Sequence, residues 1–184
     1  MIETAMAMDD LIRQGKVLYW GTSEWSAEDI QDTLEICEEN GLYPPKAEQP
    51  QYSMLWRESV ELEILPVVDG EGVGLVVWSP LAMGMLTGKY DDGIPEDSRF
   101  GREEWAKERY MTAENAEKVR KLKPIADDLG ITRAQLALAW VLRDDGVSSA
   151  ITGATRPSQV LDNVKAAEVE LSDDVVDAID DIVG

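Results

Sequence analysis

Short apolar runs alternate with longer stretches in which apolar residues recur every three or four positions, and the alternation occurs four times along the chain. The short runs, Val17 to Ser23, Lys46 to Gln49, Gly74 to Trp78 and Val147 to Gly153, are predicted as strands. The periodic stretches are predicted as helices. One opens at Ser26 with Asp29 three residues on, a capping-box pattern, and stops at Asn40-Gly41. Others span Glu58 to Val68, closing at Asp69-Gly70, then Ala113 to Leu129, and Thr132 to Asp144 with Thr132 as N-cap and Gly130 before it. The last two are Pro157 to Ala167, with proline in the first turn, and Ser172 to Val183, whose Asp173 and Asp174 complement the helix N-terminus. A helix over Thr4 to Gln14 precedes the first strand, and Asp91 to Thr112 is polar and charge-mixed with no clear period.

Gly74-Leu75-Val76-Val77 shows no polar alternation, which suits a parallel strand buried on both faces. Four strands, each followed by helix, predict parallel α/β architecture with right-handed crossovers. Four units are half of a (β/α)₈ barrel, which typically needs about 250 residues, and the Thr4 to Gln14 helix reads as the tail of an earlier unit. An open, flavodoxin-like sheet is the competing topology.

Length and composition, 184 residues with 44% hydrophobic content, provide for one domain with one core. No apolar run approaches the roughly 18 residues needed to span a bilayer, and the amphipathic N-terminus lacks the pattern of an export signal, so a cytoplasmic protein without membrane insertion is expected. Cys37 is the single cysteine and there is no histidine, which rules out an internal disulfide and gives no zinc-ligand set. With 37 acidic against 17 basic residues the net charge is −20, spread along the chain, which argues against a nucleic-acid partner. Such a surface repels itself at low ionic strength, resembling proteins of salt-accumulating organisms. That reading predicts a melting temperature that rises between dilute buffer and molar KCl; an ordinary acidic protein would show no such rise.

The candidate chemistry lies where the third predicted strand ends. Trp78-Ser79-Pro80-Leu81-Ala82-Met83-Gly84-Met85-Leu86-Thr87-Gly88-Lys89-Tyr90 carries an apolar strand into a small-residue loop bearing an aromatic, a hydroxyl and a lysine. In a parallel sheet this is the C-terminal edge, where ligand sites are built. Two common phosphate motifs are absent. Gly70 to Gly74 lacks the G-x-G-x-x-G spacing and precedes a strand, while Gly84 to Lys89 is one residue short of a P-loop.

Several separated motifs stand in one fixed order: Gln14-Gly15-Lys16-Val17 leading into Tyr19-Trp20-Gly21-Thr22-Ser23, then Glu48-Gln49, Trp78-Ser79-Pro80-Leu81, Gly88-Lys89-Tyr90, and Gly153-Ala154-Thr155-Arg156-Pro157-Ser158-Gln159 with Asn163. Together they resemble the C-terminal half of an aldo-keto reductase, over essentially the whole chain. The forms Tyr-Trp-Gly-Thr-Ser, Trp-Ser-Pro-Leu and Gly-Val-Ser-Ser are most similar to the branch containing the β-subunits of voltage-gated potassium channels and their prokaryotic relatives.

The resemblance implies a (β/α)₈ TIM-barrel family member, here the second half of the barrel, with an NADP(H) site. By that resemblance Ser23 and Gln49 bind the nicotinamide carboxamide and Trp78 lies flat on the nicotinamide ring. Ser79, Pro80, Leu81 and Ala82 follow the pyrophosphate, with Lys89 and Arg99 supplying charge. Gly153, Thr155, Arg156 and Gln159 surround the adenosine 2′-phosphate and Asn163 meets the adenine; the bidentate capacity of Arg156 favours NADPH over NADH. Taken singly, Trp78 reads as strand-end core, Arg156 as a solvated helix-turn residue and Ser23 as a turn hydroxyl; the weight lies in their joint occurrence. Three positions depart from the branch pattern: Glu24 stands for a cofactor-contacting arginine, Met83 for a small residue and Asp97 for a tyrosine.

In the family the proton donor is a tyrosine assisted by a lysine and an aspartate, all on the first half of the barrel, and hydride transfer to a carbonyl requires that proton. Tyr19, Tyr43, Tyr52, Tyr90 and Tyr110 sit in no matching motif, so no catalytic residue is nominated. The expected role is the cofactor-binding half of a reductase of aldehydes and ketones, inactive alone. Its open strand edges are expected to pair with a second copy or a separate N-terminal half. The alternative is a non-catalytic NADPH-binding regulatory module like the channel β-subunits.

Overall fold

The computed structural model describes all 184 residues. The chain forms α1 (Ile2–Arg13), β1 (Gly21–Ser23), α2 (Ala27–Asn40), β2 (Ala47–Gln49), a π-helical turn Ser59–Ile64 running into α3 (Leu65–Val68), and β3 (Gly74–Trp78). A 3₁₀ segment Ala82–Thr87 follows, then α4 (Arg99–Arg102), α5 (Glu104–Tyr110), α6 (Ala113–Asp128), α7 (Arg133–Val141), β4 (Val147–Ile151), α8 (Pro157–Asn163), a 3₁₀ turn Val164–Glu168, and α9 (Asp173–Val183).

The local signals for helix ends work as chemistry. Ser26 and Asp29 exchange the reciprocal bonds of a capping box at the start of α2, and Gly41 closes that helix with φ at 64°. Thr132 and Gln135 form the same box at α7. The predicted Glu58 to Val68 helix forms with a wide first half, because Pro66 has no N–H to bond the Leu62 carbonyl; the Leu65 N–H instead bonds Val60, five residues back. The predicted Pro157 to Ala167 helix tightens to 3₁₀ after Asn163.

All strands pair in parallel in the order β1-β2-β3-β4. That sequential order excludes the flavodoxin-like alternative, in which the chain reverses direction across the sheet. One face is covered: Leu75 and Val77, both 0% exposed, join Ile30 of α2, Leu122 of α6 and Leu136 and Trp140 of α7 in a single core.

Two strand expectations need correction. Val17 to Trp20 is not strand; β1 begins at Gly21, where pairing with Ala47 starts, and Leu18 and Tyr19 are exposed. As an edge strand with a partner on one side only, β1 extends only as far as β2 accompanies it. Nor is β3 buried on both faces: Val76 and Trp78 alternate with the buried Leu75 and Val77 and stay half-buried, since no helix covers their side. The stretch 91–112, which has no sequence period, is ordered by a few anchors. Phe100 is buried and stacks on Tyr90 at 4.2 Å, the Phe100 N–H donates to the Tyr90 hydroxyl, and Ser98 caps α4.

Candidate functional site

Parallel strands carry their chain ends to one edge of the sheet, and that edge collects the loops after β1, β2, β3 and β4. Ser23 and Gln49 are register partners at the ends of β1 and β2, and the Ser23 hydroxyl donates to the Gln49 carbonyl at 3.0 Å. Trp78 ends β3 opposite Ile151 and forms a bridge with Gln51 on its other side. Glu24, at φ 58°, directs one carboxylate oxygen to two donors, the Trp78 indole N–H at 2.7 Å and the Gln51 backbone N–H at 2.7 Å. Helix α5 closes this corner: Tyr110 and Arg109 both reach Gln51, and the Arg109 guanidinium lies 4.6 Å from the centre of the Trp56 ring.

The loop after β3 is unusual in its backbone. Ser79, Ala82 and Met83 have φ of 59°, 47° and 56°, three non-glycine residues in the left-handed region within five positions. Each costs of order 1 kcal/mol or more, and such outliers gather at ligand-binding loops. The Ser79 hydroxyl is buried without a hydrogen-bond partner. Pro80 and Ala82 are buried, and Leu81 is partly buried against the core. Lys89 bends back across the loop, its ammonium 5.0 Å from the Tyr90 ring centre. A Cβ on Gly84 (φ 93°) would lie 2.6 Å from that ammonium, so only glycine lets the lysine lie there without displacement.

The remaining predicted residues divide. Arg99 is committed to Glu103 at 3.2 Å. Thr155 and Arg156 are exposed in the loop after β4, and both backbone N–H groups donate to the Gln159 side-chain oxygen, at 2.7 and 3.2 Å, so Gln159 holds the loop shape. Gly153 is exposed at the start of the same loop, and Asn163 ends α8, half-buried. A shallow recess is lined by Thr155, Arg156, Val160 and Leu161. Neither Lys89 nor Arg156 makes an ion pair, although most of the basic residues on α6 and around α7 do. Asp97 is exposed in the turn before α4.

Sequence reasoning missed Gln51, Arg109 and Tyr110, because the first follows an ordinary strand end and the others belong to a stretch without period. It also missed the role of Glu48. This carboxyl is 0% exposed on the helix-covered face, one residue before Gln49, and accepts from the Thr22 hydroxyl and the Trp25 backbone N–H, with no cation beside it. Burial pushes its pKa up, more than those hydrogen bonds pull it down. A carboxyl whose folded pKa exceeds its unfolded value contributes stability in full below the unfolded value, and this is lost as pH rises through the folded one. Glu48→Gln is therefore expected to gain on the wild type in urea-unfolding free energy as pH rises from 4 to 8. A constant difference across that range would refute the assignment. Cys37 is buried, and burial raises its thiol pKa, as suits an inert core residue.

A parallel α/β sheet covered by helices on one face, with a strained loop and the unpaired Lys89 beside Tyr90 at its C-terminal edge, defines the class of fold. The chain belongs to the aldo/keto reductase family, which it matches over residues 1–183. It is 47% identical over 186 aligned residues to a probable voltage-gated potassium channel subunit beta of Arabidopsis thaliana, covering 98% of this chain and 57% of that protein. It is 46% identical to the protein of the same description from Oryza sativa subsp. japonica, again over 98% of this chain and 57% of the relative. The chain thus spans little more than half the length of these relatives. A parallel sheet in sequential strand order is consistent with the family's (β/α)₈ architecture, and no helix is long and apolar enough to cross a membrane.

Proposed function

We propose that this chain is the NADP(H)-binding half of an aldo/keto reductase barrel, a family of oxidoreductases acting on aldehydes and ketones. The observation that carries the reading is the corner built from Ser23, Gln49 and Trp78: a hydroxyl, bonded to the Gln49 main-chain carbonyl, and a side-chain amide at adjacent strand ends, beside an indole whose orientation is held by Glu24. A neutral carboxamide needs such donors and acceptors, and its ring needs such a face. The residues also fit the phosphates. The buried Ser79 hydroxyl lacks a partner, the Lys89 ammonium lies over a glycine, and the Arg156 guanidinium is exposed and free of any carboxylate at the loop after β4.

When bound, the cofactor supplies the hydride. This chain's residues orient the nicotinamide and neutralise the phosphates. The family resemblance puts the proton donor for the developing alkoxide on the other half of the barrel; in this chain Tyr52, the most buried tyrosine, is committed to Glu61 and Arg143 and has its pKa raised by burial. The half-barrel reading is supported by apolar residues left open: Val76 and Trp78 of β3 and the exposed Ile151 of β4 on the uncovered side, together with Val160 and Leu161 of α8, which buries no residue, and Val164 of the 3₁₀ turn after it. Such a surface suits closure against another four-strand unit, from a second copy or an N-terminal half.

The test is a titration of the chain with NADPH and NADH in molar KCl, followed by tryptophan quenching. Saturable binding that prefers NADPH is expected, and absence of binding by either nucleotide would overturn the proposal for this chain.

A further inference from the structure

Resting on the cofactor site just proposed, we infer that Glu24 makes that site selective for the oxidised, cationic form of the nicotinamide. Glu24 is the only carboxylate hydrogen-bonded to Trp78, and it is fixed from both sides. The same oxygen accepts from the indole N–H at 2.7 Å and from the Gln51 backbone N–H at 2.7 Å, while the residue is locked in the left-handed region at φ 58°. The charge therefore cannot swing away from the ring without giving up both bonds. Arg109, which shares Gln51 as a partner, donates to the Gln51 side chain and lies over the Trp56 ring, and it makes no ion pair with Glu24. The negative charge at this corner is left uncompensated.

The two states of a nicotinamide differ by one positive charge on the ring itself. An indole face attracts a cation through its quadrupole, and a carboxylate bonded to the edge of that indole adds a Coulomb attraction that the neutral, reduced ring does not feel. Both effects act on the ring and have the same sign. Phosphate contacts are shared by the two forms and cancel in their comparison. The site should hold the oxidised form more tightly than an otherwise identical site with a neutral residue at position 24, and the occupied fraction of each form then follows the ratio of oxidised to reduced cofactor around the protein.

Glu24→Gln keeps the acceptor for both N–H donors and removes only the charge; Glu24→Arg reverses it. The dissociation constants of NADP⁺ and NADPH would be measured by calorimetry on the full chain and both variants at low salt, with circular dichroism confirming the fold. The expected result is a rise in the NADP⁺ to NADPH ratio of dissociation constants of roughly five- to tenfold in Glu24→Gln, more in Glu24→Arg, and smaller at molar KCl. A ratio unchanged within about twofold in both variants, with binding retained, overturns the inference and leaves the cofactor site standing. Equal weakening of both nucleotides would also overturn it, reducing Glu24 to a residue that only positions Trp78. Failure of the wild-type chain to bind either nucleotide refutes the cofactor site and this inference with it.

Discussion

Trp140→Ala is expected to cost about 4 kcal/mol of unfolding free energy, the range for emptying a large aromatic site in a well-packed core. Trp140 is 0% exposed in the last turn of α7. Its ring lies 5.4 Å from the Tyr52 ring, with the guanidinium of Arg143 at 3.8 Å and that of Arg57 at 4.8 Å, and its N–H reaches Asp180 of α9 at 3.3 Å. These cations are tied in turn to acids: Arg57 to Glu61 and Asp180, and Arg143 to Glu61 and the Tyr52 hydroxyl. Burial alone would raise the Glu61 and Asp180 pKa values, yet the hydrogen bonds from Tyr52 and the two arginines hold Glu61 below its usual range, and Arg57 does the same for Asp180. Removing the indole opens a cavity and takes away the surface on which both guanidinium groups lie, so the loss exceeds that of a simple apolar truncation. Urea unfolding measures it. A loss below about 1 kcal/mol would show that the arginine network holds the π-helical turn, the end of α7 and α9 together without the ring.

Arg156→Ala is expected to weaken NADPH binding by about thirtyfold while leaving NADH binding unchanged within about twofold, which corresponds to loss of a charge-assisted hydrogen bond of about 2 kcal/mol. The substitution is structurally mild. Arg156 contributes its backbone N–H to the Gln159 cap, a bond alanine keeps, and its side chain makes no ion pair that would be broken. The difference between the two nucleotides is the 2′-phosphate alone, so calorimetric titration of each reads the guanidinium directly. If NADPH and NADH weaken together, Arg156 acts on the loop and not on the phosphate. If neither changes, the phosphate lies elsewhere.

These two variants probe different kinds of information in the chain. The strand that ends in Trp78, the capping boxes at Ser26 and Thr132 and the glycine stop at Gly41 were legible because each is a local matter: a period, or a side chain within three or four residues of the backbone group it satisfies. Ser23, Gln49, Trp78 and Arg156 were singled out by motif, and a motif records which residue types recur together without recording what they touch. Residues 99–110 were not legible as helix, because they are ordered by packing on Tyr90 and by the Gln51 contacts to Arg109 and Tyr110, whose partners are 10 to 59 residues away in sequence.

By itself, the sequence determined the number of strands, their parallel character and the family, since hydrophobic period, capping and ordered motifs are properties of the chain read in one direction. Only the tertiary structure decided the strand order, the side of the sheet left uncovered and the partners of the charged groups. It set Glu24 on Trp78, left Lys89 and Arg156 unpaired, and buried Glu48 among its partners Thr22 and Trp25. The physical reason is that a charge or a hydrogen bond acts over a few ångströms of space, and in a parallel sheet the residues brought that close come from loops 20 to 60 positions apart, joined by no local rule.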